Sequence, residues 1–190
     1  MPQRIGVMGA QGSFSEKAGK TFIAQANGKY ENAILSYLLS ADTVLSALAR
    51  GDIDVGVVAF ENSNGGFVME TLDALCEHSC RRIDIVEVNV HHQLLVKPGI
   101  TREDVKVIAS HPQALIQCDQ YLKRGWKNTL LEEYVDTAKA AADLARGILP
   151  ASTAAIASLE AANLYALEVL DRNIEDRKFN VTNFLVAERR

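Results

Sequence analysis

Four times along this chain a short apolar run stops at a cluster of small or polar residues and then opens into a helical pattern. Residues 5–8 pass through the glycines and serines of 9–15 into a helical stretch near 16–24, and 55–60 pass through 61–66 into 68–78. Further on, 105–109 lead through Ser110, His111 and Pro112 into 113–123, and 154–157 lead through Ser158 into 159–170. Pro112 suits the first turn of a helix, where its missing N–H has no intrahelical acceptor to forgo. Strand, turn and helix repeated in that order define an α/β fold, because parallel neighbours in a sheet need a long return connection and a helix supplies it.

Two further segments read as crossover helices. Val44, Leu45 and Leu48 recur at helical spacing in 41–50, and 136–147 has a capping residue in Asp136 or Thr137 and a terminator in Gly147. Residues 84–96 alternate only loosely and are long for one strand, which suits a segment crossing from one lobe to another. Residues 180–187 make the matching return. The expected architecture is therefore two α/β lobes with a cleft between them, 1–86 plus 180–190 forming the first and 87–179 the second, inserted into it. No Pro- or Ser-rich linker, repeat or low-complexity tract interrupts this plan.

With 190 residues and 48% hydrophobic content, the chain has apolar material for one ordinary core or two small ones. A net charge of −4, with Lys and Arg scattered, argues against a broad nucleic-acid surface. No apolar run is long enough to span a membrane and no signal-peptide core opens the chain, so a cytoplasmic protein is expected. Three cysteines at irregular spacing make no disulfide framework and fit a reducing compartment. Cys76, His78 and Cys80 have the look of a metal motif, yet His78 leaves the helical face that the cysteines share and no second cluster completes a ligand set. No metal is expected. His91 and His92 are neighbours on an extended segment and face opposite sides, which favours structural roles.

The turns carry the chemistry. Each helix start leaves backbone N–H groups without intrahelical partners and bears about half a positive charge, so a small polar turn there holds an anion. Ser13, Ser15, Asn62, Ser63, Thr137 and Ser158 add hydroxyls and amides at such turns, beyond the carboxyl ends of the strands where ligands of open α/β sheets bind. Together they support a site for a small carboxylated ligand. Near the end of the chain, Thr182 sits within a strand-like alternation of polar and apolar residues, and a buried hydroxyl needs a partner.

These residues also form an ordered series. It runs through Gly9, Gly12, Ser13, Phe14 and Ser15, then Glu61, Asn62 and Ser63 with Gly66, Thr71, Leu72 and Asp73. It continues through Ser110, His111, Pro112, Gln113 and Ala114 with Gln117 and Cys118, then Thr137, Ala138, Ala155, Ile156, Ala157 and Ser158. It closes on Tyr165, Leu167, Ile174, Glu175, Asp176, Asn180, Thr182 and Phe184. In this the chain resembles the prephenate dehydratase family over nearly its whole length. The resemblance implies a two-lobed, type II periplasmic-binding-protein-like fold that binds prephenate in the interlobe cleft and converts it to phenylpyruvate, without metal or organic cofactor.

By the same resemblance Thr182 is the catalytic hydroxyl, and Ser13, Asn62, Ser63, Thr137, Ser158, Asn183 and Phe184 are expected to bind substrate. Glu61, His111 and Gln113 are expected to support them. Asn183 stands where the family has Arg, and so lacks the cationic fork that would grip a carboxylate. That departure keeps a non-aromatising prephenate decarboxylase and an arogenate dehydratase open as readings; a non-catalytic carboxylate sensor is the rival of another class. Family members also imply a homodimer. Bacterial ones commonly append a phenylalanine-sensing ACT domain, and since the chain stops at Arg190, insensitivity to phenylalanine is expected.

Overall fold

The computed structural model describes residues 2–190. In chain order the elements begin with β1 (Arg4–Val7), α1 (Phe14–Gln25), β2 (Ile34–Tyr37), α2 (Ala41–Arg50), β3 (Val55–Asn62), β4 (Gly66–Phe67), α3 (Met69–Glu77) and β5 (Cys80–Asn89). They continue with β6 (Gln93–Val96), β7 (Val107–Ser110), α4 (Pro112–Gln117), α5 (Asp119–Gly125), β8 (Leu130–Glu133), α6 (Thr137–Ala145), β9 (Thr153–Ala157), α7 (Leu159–Leu164), β10 (Glu168–Asp171) and β11 (Val181–Arg189).

The chain forms two compact units. The first holds the chain through Ala10, Phe14–Asn89 and Asn180–Arg190; the second holds Gln11–Ser13 and Val90–Phe179. The boundary expected at 86/87 falls inside β5, whose pairing with β11 continues from Val86 to Asn89. In the first unit the strands run β2-β1-β3-β11-β5, with β4 paired to β3. β1, β2 and β3 are parallel, whereas β11 enters antiparallel between β3 and β5.

Each face of this sheet has its own core. Ile5, Val7, Val55, Val57, Val86, Val88, Phe184 and Val186 pack with Ala18 and Phe22 of α1 on one face. Val58, Leu185 and Ala187 pack with Val44, Leu45 and Leu48 of α2 and Ala74 of α3 on the other. The sequence dictates α2 at both ends: Ser40 accepts the Thr43 N–H as its cap, and Gly51 closes it at φ 79°, a backbone state costly for other residues.

In the second unit the strands run β10-β6-β9-β7-β8, with β7 parallel to both β8 and β9. Leu94, Val96, Ile108, Ala154 and Ile156 pack with Ala114 of α4, Leu122 of α5, and Cys118 and Trp126, which directly follow those helices.

Three sequence expectations change. The helix expected over 113–123 is broken at Cys118 (φ −112°, ψ 16°). The second half begins anew because the Asp176 carboxylate accepts the N–H groups of Gln120 (2.9 Å) and Tyr121 (3.1 Å). The helix expected over 159–170 ends at Leu164; Ala166 takes φ 52°, and β10 then pairs with β6. The segment 84–96 is two strands in different sheets, parted at Val90, His91 and His92. No helix among the described residues is long and apolar enough to cross a membrane.

Candidate active site

In the first unit, β11 begins where β3 ends, so Thr182 faces Asn62 across one ladder and Val88 across the other. That is the carboxyl edge of the parallel strands, the edge at which such sheets bind ligands. Thr182 is 8% exposed, and Asn62 Nδ2 donates to its Oγ1 at 2.9 Å. Asn62 Nδ2 also reaches Asn180 Oδ1 (2.8 Å) and the Val181 carbonyl (3.2 Å). At its other end, Asn62 Oδ1 accepts the N–H groups of Asn64 and Gly65, both at 2.9 Å.

Ser63 braces the same junction. Its N–H donates to the Val181 carbonyl (2.8 Å), and its Oγ accepts the Val181 N–H (3.0 Å). Asn62 and Ser63, expected as substrate contacts, thus have these groups engaged in holding β11 against β3. A hydroxyl has one proton and two lone pairs. Because Thr182 Oγ1 accepts from an N–H of Asn62, its own proton is not used in that bond and remains for another acceptor.

Asn183 does not join this group. Thr182 shares the sheet face of Phe184 and Val186, and successive residues of a strand alternate faces, so Asn183 turns to the other side. There it sits between its ladder partners Glu61 and Glu87, with its Oδ1 buried and without a hydrogen bond. Glu61 shares that face and is not placed to orient Thr182. β3 carries an extra residue here, since Asn183 pairs with Glu61 but Phe184 pairs with Ala59. Phe184, expected at the substrate, is 2% exposed and belongs to the core; its ring is packed against Val86, Val88 and Val186.

In the second unit His111, Thr137 and Ser158 follow the carboxyl ends of the parallel β7, β8 and β9. Ser158 caps α7, accepting the Ala161 N–H at 3.0 Å, and its only proton goes to the Gly12 carbonyl at 2.6 Å. Tyr165 OH donates to the Gln11 carbonyl at 2.8 Å, so Gln11–Ser13 are held within this unit. Gly12 is required here: its φ is 86°, and a Cβ would stand 3.0 Å from Ala161 Cα. Ser13 is buried directly after it.

His111 caps α4, its Nδ1 accepting the Gln113 N–H at 3.2 Å, while the Gln113 side chain is half-buried. Asp136 caps α6 through the Lys139 N–H (2.7 Å), leaving the half-buried Thr137 hydroxyl with no hydrogen bond among the described residues. Of the hydroxyls expected to meet a ligand in this unit, Thr137 is therefore uncommitted and Ser158 is spent.

The two histidines separate as alternation requires. His91 is exposed with Nδ1 2.8 Å from Glu175 Oε1; His92 is buried with Nε2 2.8 Å from Gln117 Oε1, and its N–H donates to Glu175 Oε2 at 2.9 Å. Burial holds the His92 pKa below the usual histidine value, against the opposing pull of Gln117 and Glu175. His78 Nε2 lies 2.8 Å from Asp42 Oδ1, and the three cysteines are free thiols. Sequence reading assigned no site role to Asn180; its signal was the two-residue step to Thr182, which continues the period of β11 one residue before the strand begins.

Two α/β units with capped turns at the ends of their parallel strands define the fold class of this chain. The likeness extends to a periplasmic substrate-binding protein of an ABC transporter from Coxiella burnetii, at a TM-score of 0.54 over 98% of this chain and 84% of that one. At 15% identity it is a likeness of fold alone. Within that class the description "Prephenate dehydratase" matches residues 5–190, and the chain belongs to that family. Arogenate dehydratase 2 of Petunia hybrida is 35% identical over 186 residues, 98% of this chain and 45% of that protein. The prephenate dehydratase of Arthrobacter aurescens, solved in complex with L-Phe, gives a TM-score of 0.84 at 29% identity, covering 98% of this chain and 60% of that one. The chain spans about half the length of the curated relatives it matches.

Proposed function

We propose that this chain converts prephenate to phenylpyruvate, with Thr182 donating a hydrogen bond to the departing ring hydroxyl. The bond from the ring to its carboxylate breaks, its electron pair enters the ring, and the carbon–oxygen bond opposite breaks, releasing carbon dioxide and a hydroxide that takes up a solvent proton to become water. Aromatisation drives the step, so the protein has to orient a dianion and ease the departure of hydroxide. A positioned donor aimed at the charge developing on that oxygen does the second task. The observation that carries the reading is the bond from Asn62 to Thr182 Oγ1, which leaves the threonine proton for the substrate.

Thr137, with its hydroxyl uncommitted at the start of α6, is the carboxylate contact this reading favours in the second unit. Ser13 and Gln113 are assigned to the substrate and its surroundings on family resemblance, whereas Ser63, Ser158 and His111 act by holding backbone in place, and Asn62 holds both backbone and the Thr182 hydroxyl. Arogenate is the second substrate to test, because the Petunia relative is named for it and its ring chemistry is the same. A cytoplasmic homodimer belongs to the same proposal, supported by family resemblance and, for the compartment, by the three free thiols. Incubation with prephenate and with arogenate, followed by mass and ultraviolet identification of products, tests it. Phenylpyruvate or phenylalanine is expected; a non-aromatic keto acid, or both substrates unchanged, overturns it.

A further inference from the structure

We infer that Asn180 is a positioning residue for this reaction: its Oδ1 holds the Asn62 amide nitrogen in place on Thr182 Oγ1, so that the threonine accepts there and keeps its proton for the substrate. The inference rests on the proposed role of Thr182. An Asn side chain has two ends of nearly equal shape, one accepting and one donating. Were Oδ1 of Asn62 turned to Thr182, the hydroxyl would donate into the protein and its single proton would be consumed there.

The surroundings settle the orientation, as they must when amide ends are assigned by their hydrogen bonds. Asn64 and Gly65 present two N–H groups to one end of Asn62, both at 2.9 Å, and only an oxygen satisfies them. The opposite end meets three acceptors: Asn180 Oδ1 at 2.8 Å, Thr182 Oγ1 at 2.9 Å and the Val181 carbonyl at 3.2 Å. Nδ2 has two protons for them. The Val181 carbonyl is the most distant and already accepts the Ser63 N–H, so the two short bonds go to Asn180 and Thr182.

Asn180 is 2% exposed, so water does not substitute for its oxygen. Without that oxygen, the Val181 carbonyl at 3.2 Å is an acceptor at hand for the freed proton. Turning toward it draws Nδ2 away from Thr182. The hydroxyl then loses its fixed direction while the outline of the site is unchanged, so turnover suffers more than binding.

The test compares Asn180→Leu and Asn180→Ala, which remove the acceptor, with Asn180→Asp, which keeps an oxygen in its place. For Leu and Ala kcat on prephenate is expected to fall about 10- to 100-fold, part of the roughly 100- to 10,000-fold that general acid assistance supplies, with KM within about twofold of the wild type. Asp is expected to retain most of the rate. In an NMR measurement of side-chain amide exchange, the Asn62 protons should be protected in the wild type and in Asp, and exposed in whichever of Leu or Ala folds. Acceptor-less variants with wild-type kcat, an Asp variant as impaired as Leu, or unchanged Asn62 exchange would overturn the role of Asn180. A wild type inert towards prephenate and arogenate would instead remove the reading beneath it, while the exchange measurement still reports on the contact.

Discussion

Replacing Asn183 by Arg should stabilise this protein and leave its chemistry almost unchanged. The Arg would stand on the face opposite Thr182, between Glu61 and Glu87, on strands spaced about 4.8 Å apart. Opposite charges directly across a ladder contribute roughly 0.2–1 kcal/mol each, and Glu87 lies at the exposed end of that range, where solvent screening weakens the pair. Removing the buried, unpartnered Asn183 oxygen recovers about 1 kcal/mol or more. The sum is about 1–3 kcal/mol. For a chain of this size each kcal/mol moves Tm by about 2–4 °C, so thermal unfolding should shift upward by several degrees. On prephenate, kcat should change by less than about threefold, far from the 10- to 150-fold that a lost charge-assisted substrate contact of about 1.5–3 kcal/mol would imply. An Asn183→Arg protein with unchanged or lower Tm, and kcat altered tenfold or more, would refute both the face assignment and the reasoning from it.

Ser158→Ala removes the cap of α7 and the tie to Gly12 together, so a loss of about 1–2 kcal/mol in denaturant unfolding is expected; a neutral result would show that neither bond matters. Phe184→Ala should cost about 3–5 kcal/mol as a core cavity, and a folded variant whose only defect is a raised KM would return Phe184 to the substrate. His92 has a folded-state pKa below its ordinary 6.5, so the unfolded chain binds its proton first as pH falls. Its contribution to stability is complete above about pH 6.5 and is lost as pH drops through the folded value. His92→Gln should flatten unfolding free energy against pH in that window, and an unchanged slope would assign the dependence elsewhere.

What the sequence disclosed was what local periodicity encodes. The strand–turn–helix junctions, α2 with its Val44, Leu45 and Leu48 stripe, and the return of the chain at β11 were legible because each is written in neighbouring residues. β2 and β8 were not, being four-residue strands that expose much of their surface and so lack a clear alternation. The break at Cys118 depends on Asp176, more than fifty residues away, and no local signal announces it. The site divides in the same way. Thr182 stands out in its motif, but the hydrogen bonds by which Asn62 and Ser63 brace it exist only once β11 lies against β3, and the burial of Phe184 is not legible because a motif records order along the chain and not the face of a strand. Ser158 was read as a ligand group since nothing nearby shows that its proton goes to Gly12.

The role of the Thr182 hydroxyl is tested most directly by removing it and reading phenylpyruvate formation at saturating prephenate. For Thr182→Ala kcat should fall about 100- to 10,000-fold with KM little changed, while Thr182→Ser, which keeps a hydroxyl beside Asn62, should retain part of the rate. An alanine variant with near-normal kcat and only a raised KM would contradict the account, making Thr182 a binding group and leaving the departing hydroxyl to another donor.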